Sequence, residues 1–98
     1  MESTDAADAA AEVMQRFKIY IESGNLEACQ SYYTELAEEY EDIPWDYIYQ
    51  KAYLHACLKK QGEIKTWLES MYEHLDPIAR IAVRQVFPYG RHLYQRGL

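Results

Sequence analysis

Three histidines, His55, His74 and His92, and two cysteines, Cys29 and Cys57, are the side chains of this 98-residue sequence best suited to metal binding or nucleophilic chemistry. Tetrahedral zinc sites are usually assembled from two close ligand pairs. Here His55-Ala56-Cys57 is the one short pair, and two positions apart on a helix places its members on different sides. The same divergence separates the Cys57 thiol from His55 as a general base. Glu73 and His74 are adjacent and diverge too. No Gly-rich phosphate loop and no Ser nucleophile motif is present. The paired carboxylates Glu38-Glu39 and Glu41-Asp42 read as a solvated helix end. No catalytic residue, metal ligand or cofactor site is therefore expected, and the sequence carries no enzyme signature.

The aromatic and cationic residues point to binding. Ten tyrosines accompany two tryptophans. Some of these rings must serve packing, with the ring body buried and the hydroxyl wet. Tyr, Trp and Arg are also the residues that dominate binding hot spots. Trp45, Tyr49 and Tyr53, at i, i+4 and i+8, make one exposed stripe on a helix if Ile48 and Ala52 face inward. A second candidate patch is Tyr89, Arg91 and Tyr94 near the C-terminus. Charge separates along the chain: residues 1–76 hold all 16 acidic residues and six of the ten Lys and Arg, for a net −10, whereas residues 77–98 hold four arginines and no acid, for +4. The arginines suit a solvated helix end, an acidic protein surface or phosphate; nucleic acid is expected only through this segment, because the acidic body repels a duplex.

The elements that position these residues are helical. Apolar residues are 49% and charged residues 27%, ordinary for a folded domain. Val is scarce (Val13, Val83, Val86), and Ala, Glu, Leu, Gln and Lys fill the chain. Ser3 or Thr4 can cap a first helix whose stripe is Val13, Phe17, Tyr20. Ser23-Gly24-Asn25 stops it, with Gly24 in the left-handed position. A second helix runs Leu26, Cys29, Tyr33, Leu36, Tyr40, antiparallel to the first because the link is so short, and Glu41-Asp42-Ile43 ends it. Pro44 opens a third helix, apolar around most of its circumference and so covered on several sides. Gln61-Gly62-Glu63 turns into a fourth helix through Ile64, Trp67, Leu68, Met71 and Leu75. Asp76-Pro77 opens a short fifth along Ile78, Ile81, Ala82 and Val86. Pro88 and Gly90 then break the pattern, so residues 88–98 are expected as a tail or one detached turn.

Two of these turns repeat. Gly24-Asn25-Leu26 and Gly62-Glu63-Ile64 stand 38 residues apart, and at that offset Tyr20 aligns with Leu58, Cys29 with Trp67, and Tyr33 with Met71. Helical pairs recurring at this period are the mark of α-solenoids. In Tyr20-Ile-Glu-Ser-Gly24-Asn-Leu26-Glu-Ala28, its echo Leu58-Lys-Lys-Gln-Gly62-Glu-Ile64, and Leu75-Asp76-Pro77, the chain resembles the tetratricopeptide-like helical repeats, including the pentatricopeptide and Sel1-like groups. Trp67 is bulkier than the small residue those repeats favour there. The resemblance implies a protein-binding scaffold and carries over no catalytic residue.

The expectation is thus an all-α protein of about five helices: two stacked antiparallel hairpins, units 13–43 and 45–77, and a capping helix 78–87, in one domain over residues 1–87 with a tail at 88–98. Its expected function is a non-enzymatic protein–protein interaction module, a small adaptor or a structural subunit of a larger assembly. Partner contacts are assigned to Trp45, Tyr49, Tyr53, Tyr89, Arg91 and Tyr94. The alternative is a small acidic inhibitor or nucleic-acid mimic for a basic enzyme site. Two lone thiols, no signal-peptide pattern and no apolar run of membrane-spanning length suggest a reducing compartment, cytoplasmic or nuclear.

Overall fold

The computed structural model describes the backbone of residues 2–39 and 44–96, with side chains from residue 9 onward. Every element among them is helical: α1 (Glu2–Glu22), α2 (Leu26–Glu39), α3 (Trp45–Leu58), α4 (Gly62–Met71), α5 (Pro77–Val83) and α6 (Val86–Arg96), with one 3₁₀ turn at Tyr72–His74. That makes six α-helices among the described residues where five were expected. The expected ends of α2, Tyr40 and Glu41-Asp42-Ile43, lie outside the described residues.

The turn chemistry is local and specific. α1 ends with Gly24 at φ 70°. Its N–H bonds the Ile21 carbonyl at 3.0 Å and the next N–H, of Asn25, bonds Tyr20 at 3.0 Å, which together satisfy two orphan carbonyls of the last turn. Asn25 then opens α2 by accepting from Ala28 N at 3.0 Å through Oδ1. α3 ends in the same way, but on Lys60 at φ 60°. Lys60 N bonds the Cys57 carbonyl at 3.2 Å, and Gln61 N bonds Ala56 at 2.9 Å. The two turns are therefore equivalent at an offset of 36, Gly24 with Lys60, and the 38-residue match of glycines is corrected. Gly62 is the first residue of α4 instead. It is small for a different reason: the Tyr94 hydroxyl lies 2.8 Å from where a Cβ would stand. Asp76 caps α5, its Oδ1 accepting from Ile78 N and Ala79 N at 3.0 Å each, with Pro77 at the first helical position.

α3 is the central helix and packs against α1, α4, α5 and α6. Its fully buried residues, Tyr53, Ala56 and Cys57, meet Ile21, Cys29 and Val83 in one apolar cluster. α1 runs in the same direction as α3. Phe17 shares a small apolar cavity with Ile48, and Glu22 reaches His55. α5 and α6 track α3 the same way: Gln50 Nε2 donates to Ala82 O at 3.2 Å, Phe87 meets Tyr49 and Tyr53, and Lys60 reaches Leu93 and Tyr94. α2 packs on α1, and on α4 through contacts such as Tyr33 with Trp67.

The expected tail is corrected most clearly. Residues 86–96 form α6, docked along α3. Pro88 falls in the first turn of α6, where N–H groups have no intrahelical partner, so the ring removes no helix bond. Gly90 is not a breaker but the point of closest approach. A Cβ there would lie 2.4 Å from Tyr53 Cε2 and 3.0 Å from Cys57 Sγ.

Candidate functional site

The six residues expected to bind a partner fall in three different environments. Tyr49 and Tyr53 are 4% and 0% exposed, so the expected exposed stripe on α3 does not exist. α6 covers it. Phe87 meets Tyr53 edge-on at 5.1 Å, Tyr72 at 5.0 Å and Tyr49 at 6.2 Å between ring centroids, a geometry that favours the ring quadrupoles. The Tyr49 hydroxyl donates to the Leu68 carbonyl, and burial raises its pKa. Trp45 is half-buried against Tyr33 at 4.8 Å. Tyr94 is half-buried above Gly62, with Lys65 Nζ 5.0 Å and Lys60 Nζ 5.6 Å from its ring centroid. Of the six, only Tyr89 and Arg91 are exposed.

Arg91 is already engaged. Glu69 on α4 receives the Tyr53 hydroxyl at 2.6 Å, Lys65 Nζ at 3.0 Å and Arg91 Nε at 3.5 Å. Burial pushes the Glu69 carboxyl upward, but the hydrogen bonds from Tyr53 and Lys65, with the charges of Lys65 and Arg91, outweigh it and hold the pKa below the usual value. This carboxylate ties α3, α4 and α6 together. Lys60 completes the clamp. Its Nζ donates to the carbonyls of Leu93, at 2.6 Å, and Tyr94. Those are among the last carbonyls of α6, where a cation also suits the helix dipole.

The residues that could do chemistry stay apart. Cys29 and Cys57 are free, buried thiols, and burial pushes Cys29 to about 11. His55 Nε2 is buried and lies 3.3 Å from Glu22 Oε1, close enough for an ion pair when protonated but not hydrogen-bonded as placed. No three of His, Cys, Asp and Glu come together as a metal group among the described residues. No helix among them is long and apolar enough to cross a membrane. A groove of about 680 Å³ opens between α2, α4 and the end of α6, lined by Leu26, Lys65, Trp67 and Tyr94 among others.

The sequence runs the fifth helix along Ile78, Ile81, Ala82 and Val86, and of these only Val86 is buried. Ala79, Val83, Val86 and Gly90 face the core, and Ile78 and Ile81 are 80% and 72% exposed, with Tyr89 67% exposed on the following helix. The signal was present: positions 79, 83, 86 and 90 follow i, i+4, i+7, i+11, one continuous face running through both helices. Its small residues let α5 and α6 approach α3, which turns the larger isoleucines outward. Arg84 and Arg96 are exposed on the same two-helix segment, and neither they nor Arg80 form an ion pair among the described residues. Ile78, Ile81 and Tyr89 thus expose large apolar side chains on a segment whose exposed charges are cationic. Comparison with known proteins finds no match to this chain, among family models, curated proteins or solved structures.

Proposed function

We propose that this chain is a non-enzymatic protein–protein interaction module, a small adaptor or subunit of a larger assembly, in a reducing compartment. On this reading α1–α2 and α3–α4 are two stacked antiparallel hairpins of tetratricopeptide-like kind, and α5 with α6 caps the stack. The observation that carries it is the α5–α6 outer face, where Ile78, Ile81 and Tyr89 stand exposed on the same segment as Arg84 and Arg96, which form no ion pair among the described residues. In a stack of helices, the last helix has a side that a following unit would cover. The side here is apolar enough to receive one.

The test compares the wild-type chain with the Ile78→Asp/Ile81→Asp double variant as baits on native lysate, read by mass spectrometry. The wild type should retain a partner set that the variant loses at unchanged helical circular dichroism. Equal retention by both overturns the assignment of this face. The acidic-inhibitor reading has one observation in its favour: α2 carries Glu27, Glu35, Glu38 and Glu39, all exposed, and no base. Its binding would be lost with Glu35→Lys/Glu39→Lys and kept by the isoleucine variant.

A further inference from the structure

We propose that the α5–α6 face of one copy docks on the acidic α1–α2 face of a second copy, head to tail. The inference rests on the reading of α5–α6 as a binding surface, and adds what occupies it.

Charge selects the occupant. Residues 77–96 carry four arginines and no acid, so two copies meeting symmetrically through this face would set arginine against arginine. The occupant must bring carboxylates to Arg84 and Arg96. The chain carries exposed carboxylates on α1 and α2. α2 carries four carboxylates and has no base of its own; of the four arginines Arg91 is held by Glu69, while Arg84 and Arg96 are exposed and form no ion pair among the described residues. Glu35 and Glu39 join Glu12 of α1 in lining a cleft of about 150 Å³ that Tyr32 and Leu36 also line, with Arg16 as the one cation in its lining. None of Glu12, Glu27, Glu35, Glu38 and Glu39 forms an ion pair among the described residues. Carboxylates outside any ion pair, on α1 and α2, and arginines outside any ion pair, on α5 and α6, thus lie on different helices of one chain among the described residues.

A contact between two different faces leaves one of each free, so association is heterologous and does not stop at a dimer. Exposed charge also makes it salt-sensitive, since screening extends to about 30 Å at 0.01 M salt but only about 3 Å at 1 M.

Sedimentation equilibrium of the full chain over a concentration series tests this at low and high salt. At low salt the weight-average mass should climb above 11.6 kDa with concentration and fall back at high salt. Arg84→Glu/Arg96→Glu and Glu35→Lys/Glu39→Lys should each stay at 11.6 kDa, because each has lost one of the two faces. Mixed, these two variants bring opposite charges together again, arginine against glutamate at one contact and, with the signs exchanged, glutamate against lysine at the other, and should associate above the monomer mass. The proposal is overturned by a wild type that stays monomeric at low salt and high concentration, by association that survives either reversal, or by a mixture that fails to pair. A monomeric wild type whose lysate partners still depend on Ile78 and Ile81 removes self-docking alone. Self-association with lysate partners indifferent to those residues removes the heterologous-partner reading alone.

Discussion

Lys60 terminates two helices at once. Its backbone takes the left-handed conformation that ends α3, and its ammonium holds the last carbonyls of α6. For an L-residue that backbone conformation costs about 1–2 kcal/mol. Lys60→Met keeps this cost and discards the tether, so it should lower stability by about 1 kcal/mol in urea melts. Lys60→Gly discards both, and its loss should be the smaller; a glycine variant less stable than the methionine variant would refute the account. Glu69 makes a prediction about pH. Its folded pKa lies below its unfolded value, so its contribution is present above the ordinary carboxylate range, near pH 4.5, and is lost as pH falls through the lower, folded value. Thermal melts between neutral pH and pH 3 should show the wild type losing stability that Glu69→Gln never had. Equal pH slopes for the two would show that the carboxylate does not act this way.

At the scale of the element, α6 depends on the absence of a single methyl group. The Gly90 backbone rests on the Tyr53 ring, which is fixed by its hydrogen bond to Glu69 and by Phe87. Overpacking of such a contact costs about 1–3 kcal/mol. Gly90→Ala should fall in that range and should raise the amide exchange of α6 before that of α3, whereas Gly90→Ala at wild-type stability would mean that the contact is not tight. The sequence concealed this helix because its two signals were ambiguous. Proline stops a helix only beyond the first turn, and Pro88 is within it. Glycine marks a break unless another side chain fills its space, and Tyr53 does so at Gly90. Tyr49 and Tyr53 then looked exposed only because the helix that covers them had been read as a tail.

For the whole molecule, the helical class and most helix boundaries were legible, because Gly24-Asn25, Asp76-Pro77 and the apolar periods act locally. What joins the helices was less so. The glycine match at 38 residues disguised a turn equivalence at 36, since the second turn has lysine where the first has glycine. The orientation of the end face was not legible from Ile78, Ile81, Ala82 and Val86, because close approach to α3 requires the small residues Ala79, Val83 and Gly90 on the inner side. Ile78 and Ile81 are therefore free of the core, and their replacement by Asp should change the unfolding free energy in urea melts by no more than ordinary surface substitutions do, about 0.5 kcal/mol or less each. A larger loss would return them to the core.

The position of α6 also imposes an order on synthesis. A ribosome makes the chain from its N-terminus, at about 5–20 residues per second, and α6 is the last of the described helices to be made. While α1 to α5 already exist, the aromatic side of α3 has no cover, and the Glu69 carboxylate lacks its arginine. Until α6 folds onto α3, Tyr49 and Tyr53 stay uncovered, and the docking of eleven residues closes that face.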